Sequence, residues 1–304
     1  MQRLKKIDIH AHANCDPILP FETDYKTCFV TPEELKSIYD NIGIEKGVLL
    51  PLIDQSAAPQ PNSLSETLRM VKDYPEVFGW WFCNIDPSFR CNNPQRDLSF
   101  YLNKLKEMGA KGVGEVTKNL PFDHPVMLNL FKHCEKCNMP VLFHLGKTEC
   151  TYGIIDDVGL AGLEKVLGMF PNLIFIGHSG YFWNEISGDC NTKHYNDSHN
   201  GPVTEGGRLP YLMRKYKNLH CDISAGSGAT AMMRDPEFSY NFLEEFQDRI
   251  YYGADICVAE CYQNCLTKLP EFLDLAMEKG KISYTAYKKI CRDNALKLLK
   301  VEEE

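Results

Sequence analysis

LKKIDIHAH, residues 4–12, gives the architecture its first strand. Its apolar positions form a short strand, and the strand runs out on His10 and His12. Side chains two apart on a strand face the same way, so two imidazoles here address one ion. Two histidines packed and hydrogen-bonded in a core would look the same in isolation. The question is whether other strands end in the same manner.

Seven more β-rich runs follow: KGVLLPL (46–52), VFGWWFCNI (77–85), AKGVGEV (110–116), PVLFHL (140–145), NLIFIGH (172–178), NLHCDIS (218–224) and RIYYGAD (249–255). Most are apolar throughout rather than alternating, as in strands buried on both faces of a parallel sheet. Amphipathic helical segments separate them: 31–43, 62–74, 94–109, 124–137, 159–170, 206–216, 235–247, 269–280 and 283–300. The first opens on Thr31 with Glu34 three residues later, a capping box, and stops at Gly43. Repeated β-then-α units predict a (β/α)8 TIM barrel, a closed parallel sheet, in one domain over 1–304. An open doubly wound sheet has fewer strands and a glycine-rich phosphate loop, and neither GxGxxG nor a Walker motif occurs. The connections 11–30 and 179–204 are long. Long loops at the C-terminal ends of barrel strands build the rim of an active site.

The strand ends carry the chemistry. To His10 and His12 they add Glu115, His144, His178 and Asp255, each terminating or interrupting an apolar run. In a parallel barrel these ends converge on one mouth. Four imidazoles and two carboxylates suit Zn²⁺ or a similar borderline cation; Mn²⁺ is the alternative, because ligand type separates the two poorly. Lys118, Lys147 and Arg208 are candidate clamps for a substrate carboxylate, and Lys147 and Tyr181 closely follow ligand strands. Asn14, Trp183, Glu185, Asp222 and Glu260 are further candidates to line the pocket. Asp8 is read either as an acceptor for a ligand histidine N–H or as a helix-side structural residue. His124 and His133 fall on helices, and His194 and His199 in the long loop, where solvated or lid roles are expected. Of Trp80 and Trp81, inside the third strand, at least one belongs to the core.

These motifs resemble the amidohydrolase superfamily, in particular its amidohydrolase 2 branch, which includes aminocarboxymuconate-semialdehyde decarboxylase. The resemblance rests on IDIHAH (7–12), VLFHLG (141–146), IFIGHSG (174–180) and YYGAD (251–255), with FWNEIS, CDISAGSG, RDPEFSYNFLEEFQDRIYYGADIC and NALKLL. It spans nearly the whole chain. It implies a metal-dependent enzyme on a TIM barrel, and a homodimer is common among such relatives. GVGEV with Glu115 departs from the mononuclear decarboxylases. It is more similar to TatD-type nucleases, in which a glutamate at this place bridges two metals.

Two reactions stay open. In metal-assisted hydrolysis of an amide, lactone or ester, Asp255 orients and deprotonates a water while Glu115 is shared between two ions. In non-oxidative decarboxylation, one ion sits on His10, His12, His144 and Asp255, and His178 is the acid/base. The net charge is −8 and no Lys/Arg block occurs, which argues against nucleic acid and anionic membrane as partners. The expected partner is a small polar molecule. Thirteen cysteines, including Cys134 with Cys137 and the series Cys257, Cys261 and Cys265, are read as free structural thiols in a reducing cytoplasm.

Overall fold

Apolar runs that hide both faces of a strand need cover on both sides, and the fold supplies it. The computed structural model describes residues 2–21, 27–88, 93–148, 150, 152–191, 201–259 and 267–301; His194, His199, Glu260, Cys261 and Cys265 lie outside the described residues. The strands are β1 (Lys6–Ala11), β2 (Ile44–Leu49), β3 (Phe78–Trp81), β4 (Val113–Val116), β5 (Val141–Gly146), β6 (Ile154–Ile155), β7 (Phe175–His178), β8 (Leu219–Asp222) and β9 (Ile250–Tyr251). All their pairings are parallel, in the orders β1-β2-β3 and β4-β5-β7-β8-β9, with β6 pairing off the end of β5.

Backbone hydrogen bonds join the two groups into a ring. A parallel bridge pairs Cys83 with Val113, and Cys83 N–H donates to Gly112 O at 2.9 Å. At the other seam, Ile9 N–H donates to Tyr252 O at 3.0 Å and Asp255 N–H to His10 O at 2.9 Å. The predicted eight-stranded barrel is therefore closed, first strand to last. Its interior is filled by Ile7, Ile9, Val48, Leu50, Phe82, Leu142, Ile176 and Tyr251, and Ala295 and Leu299 of the last helix plug the bottom. A larger apolar layer packs the outer strand faces against the helices and includes Trp81, Cys134 and Cys137, while Trp80 is half-buried.

The helix Pro32–Ile42 carries the expected capping box and ends at Gly43 with φ +76°. Three features depart from the sequence reading. The closing helix is not continuous: Tyr284–Lys288 passes through a π-turn at Lys289–Asp293 into Asn294–Leu299. The turn coincides with a tertiary contact: Tyr252 N–H reaches across from the barrel and takes the Ile290 carbonyl at 2.9 Å. The glycine-rich run after β8 forms a helix, Ala225–Met233. Glycine is required there by close packing, since a Cβ on Gly228 would lie 2.5 Å from the Ile223 carbonyl carbon. The long loop after β7 begins with a short helix, Gly180–Asn184, capped by Ser179. No helix among the described residues is long and apolar enough to cross a membrane.

Candidate metal centre

The site begins with an irregularity in β1. Lys6 and Asp8 face outward to the helices, yet His10 and His12 face inward, because the pairing with β2 slips between Asp8 and Ala11. Asp8 fixes that slip. Its Oδ1 accepts from His10 N–H at 2.9 Å and from Ala254 N–H at 2.8 Å, and its Oδ2 accepts from the Tyr39 hydroxyl at 2.5 Å. Burial pushes the Asp8 carboxyl up to about 6, against the lowering effect of these bonds. Of its two predicted roles the structural one is observed: Asp8 holds the backbone of His10, not its ring.

The rings are held from behind by other groups. His12 Nδ1 lies 2.8 Å from the Leu50 carbonyl, which only accepts, so Nδ1 carries the proton and Nε2 points inward. His10 Nδ1 lies 2.9 Å from Asp222 Oδ2 and again leaves Nε2 inward. The two Nε2 atoms are 3.0 Å apart in a fully buried setting. Two lone pairs at that distance need a cation or a proton between them.

The two carboxylates complete the group. Glu115 Oε2 is 3.7 Å from His10 Nε2 and 3.6 Å from His12 Nε2; Asp255 Oδ1 is 3.7 and 3.4 Å from the same atoms. An ion bound tetrahedrally at about 2.1 Å has ligand atoms about 3.4 Å apart, so His10, His12 and Asp255 can hold one ion, with Glu115 Oε2 within reach of both imidazoles. The second oxygens turn the other way. Glu115 Oε1 is 2.9 Å from His144 Nδ1 and 3.9 Å from His178 Nε2, and Asp255 Oδ2 is 3.4 Å from His178 Nε2. All six predicted ligand residues thus meet at the barrel mouth, and Glu115 and Asp255 each divide their oxygens between a His10/His12 half and a His144/His178 half.

The field in the site favours positive charge. Burial works against a charged His10, but Asp255 and Asp222 outweigh it and hold the imidazole well above its ordinary range. His178 is raised to about 9, with burial outweighed mainly by Asp222. Burial opposes the ionised form of Glu115, yet bonds from His10, His12 and His144 hold it well below the usual carboxylate range. Asp255 and Asp222 are lowered in the same way by the surrounding histidines. Three ionised carboxylates around four imidazoles ask for a divalent ion or its equivalent in protons.

The outer residues separate into groups. Lys147 Nζ sits 5.8 Å from the Tyr181 ring centroid, and the buried Tyr181 hydroxyl accepts from Cys150 Sγ at 3.2 Å. The Tyr152 ring lies 4.7 Å from that of His144. Lys118 pairs with Asp86 at 3.0 Å. Arg208, expected as a carboxylate clamp, is instead bound to Glu164 and to the Gly159 carbonyl, and so braces two helices. Glu185 accepts from Gly159 N–H at 2.7 Å and Trp183 donates to the Asp222 carbonyl at 3.1 Å, both behind the site. Asn14 bonds to Asn62 and the Gln60 carbonyl in the loops beyond β1. An apolar wall of Phe29, Leu52 and Ala58, with Phe29 edge-on to His12 at 6.5 Å, was not foreseen.

Asp222, expected to line the pocket, stands instead behind the imidazoles. Its Oδ1 lies 3.0 Å from His178 Nδ1 while Oδ2 takes His10, so one carboxylate stands behind an imidazole of each half. The signal was present: Asp222 terminates an apolar strand as the six ligand residues do.

No protein family's sequence model matches this chain, and no curated protein matches it. Solved structures do. A 2,6-dihydroxybenzoate decarboxylase from Rhizobium superposes with a TM-score of 0.62 at 15% identity, covering 99% of this chain and 100% of that one. A dihydroxybenzoic acid decarboxylase from Polaromonas, with bound manganese and the inhibitor 2-nitroresorcinol, gives 0.61 at 16%, covering 99% and 98%. An amidohydrolase from Burkholderia multivorans with bound zinc gives 0.63 at 8%, covering 98% and 99%. The barrel fold is shared with these enzymes from end to end.

Proposed function

We propose that this chain is a metal-dependent hydrolase of the amidohydrolase superfamily, cleaving an amide, lactone or ester bond in a small polar substrate. One observation carries the reading: Glu115 presents one oxygen to His10 and His12 and the other to His144 and His178. That division is what a carboxylate shared between two cations requires. It matches the resemblance of GVGEV to binuclear enzymes.

When bound, zinc or manganese supplies Lewis acidity that makes water a nucleophile near neutral pH and polarises the scissile carbonyl. The chain's own residues do the rest. Asp255 reaches both halves, through Oδ1 to His12 Nε2 and Oδ2 to His178 Nε2, each at 3.4 Å. It is therefore placed to orient a water between them, accept its proton and pass that proton to the leaving group. His10 and His178 hold its carboxyl below the usual range, so it is ionised at neutral pH. Phe29, Leu52 and Ala58 exclude bulk water on the His12 side. Lys147 and Tyr181 offer a cation and an aromatic face for the polar end of a substrate.

The second reading is decarboxylation, favoured by the fold likeness to two dihydroxybenzoate decarboxylases. On that reading the 2.9 Å contact between His144 Nδ1 and Glu115 Oε1 is a hydrogen bond that orients His144 around a single ion. Metal analysis of natively purified protein, followed by an ester, lactone and amide panel, separates the two. Two divalent ions per chain with hydrolysis support the proposal. One ion, with CO₂ release from a carboxylic acid, replaces it with the second reading.

A further inference from the structure

Asp222 touches no position a substrate would reach. It is fully buried, and both of its oxygens are spoken for. Oδ2 faces His10 Nδ1 at 2.9 Å. Oδ1 faces His178 Nδ1 at 3.0 Å and also accepts from the Ser224 backbone N–H at 3.1 Å and the Ser224 hydroxyl at 2.6 Å. An ionised carboxylate only accepts, so each imidazole must carry its proton on Nδ1 and turn a bare Nε2 inward. His10 belongs to one half of the site and His178 to the other.

We infer that Asp222 is a positioning residue that sets the tautomer of one metal-facing histidine in each half, and that its two oxygens are not interchangeable. The inference rests on the two-ion reading above. The asymmetry comes from Ser224. Its backbone N–H is a fixed donor, so whatever atom replaces Oδ1 must still accept. In Asp222→Asn the amide oxygen therefore keeps the Oδ1 place, and the NH₂ falls opposite His10 Nδ1. That NH₂ donates, His10 Nδ1 must then accept, and the ring proton moves to Nε2. A proton on His10 Nε2 points at His12 Nε2, 3.0 Å away, and removes His10 as a ligand. His178 keeps its acceptor and its inward lone pair. A substitution at one residue behind both halves thus disables only the half built on His10 and His12.

The test uses the full-length chain loaded with zinc alone. Zinc per chain and its affinity are measured for wild type and Asp222→Asn, and ring-nitrogen protonation is read from long-range ¹H–¹⁵N spectra of the histidines. In wild type we expect two zinc ions, with His10 and His178 both protonated at Nδ1. In Asp222→Asn we expect one zinc ion retained at near wild-type affinity, the other weakened at least about tenfold, and His10 alone protonated at Nε2. A carboxylate with a merely structural role would not move one ring's proton and leave the other's. Two zinc ions at wild-type affinity with unchanged tautomers in the variant overturn the inference, and so does a variant in which His178 rather than His10 changes. Should the variant fail to fold, the wild-type spectrum decides: either ring coordinated through Nδ1 overturns it. A wild type with one zinc ion but both rings protonated at Nδ1 overturns the two-ion reading and leaves the Asp222 assignment standing. No zinc at all overturns both.

Discussion

Removing the metal should give the protein a pH dependence of known sign. With no cation present, His178 is raised from 6.5 to about 9. A base whose folded pKa lies above its unfolded one contributes stability that is complete below 6.5 and is lost as pH rises through 9. A shift of that size is worth about 3 kcal/mol at full protonation, and most of it disappears between pH 6.5 and 9. Unfolding entropies near 2.1 cal/mol/K per residue give a chain of this length about 0.6 kcal/mol per degree, so the loss is about 4 °C in Tm. The assay is thermal unfolding of chelator-stripped protein at pH 6.5 and 9, with His178→Gln as reference to subtract the background of lysines, tyrosines and thiols. Metal-loaded protein should behave oppositely, because bound cations require deprotonated imidazoles and grow more stabilising as pH rises. A stripped wild type whose Tm, relative to His178→Gln, holds level or climbs between these pH values would refute the electrostatics described for the site.

Other outcomes follow from the geometry. Glu115→Gln should lower the metal content from two ions to one without unfolding the barrel, as read by metal analysis beside circular dichroism. Asp255→Asn, with its oxygens between the halves, should cut kcat about 10²–10⁴-fold and flatten the acidic limb of the pH–rate profile. Lys147→Ala should raise KM about 10–100-fold for an anionic substrate, the loss of one charged hydrogen bond, with kcat little changed. Arg208→Ala should leave both constants within about twofold and cost at most about 1 kcal/mol in denaturant unfolding, since its pair with Glu164 is partly exposed.

The barrel was legible because its strands are apolar on both faces and its polar residues gather at their ends. Glu115, His144, His178 and Asp255 could be placed at one mouth from that pattern alone, since strand direction fixes which end carries function. What sequence could not supply was the identity of partners across the fold. Asp222 and Arg208 looked alike as polar residues near the rim, yet one lies behind two imidazoles and the other bridges to Glu164, 44 positions away. Asp8 sat two residues from His10 and invited a role on its ring, but the slip in β1 turned its side chain to the helices. The π-turn at Lys289–Asp293 was equally hidden, because the contact it coincides with is made by a donor on Tyr252.

The seam between β1 and the segment after β9 has a consequence for how this protein comes into being. His10 and Asp255 face each other across it, joined by a backbone bond, but 245 positions separate them in the chain. At about 5–20 residues per second, a ribosome finishes the His-x-His pair some tens of seconds before it makes the aspartate. During that interval the nascent chain holds half a binding site and an unpaired edge on its first strand. Metal acquisition is thereby tied to completion of the ring. Chains that stop before Asp255 lack the full ligand set, so metal content reports on whether synthesis passed that residue.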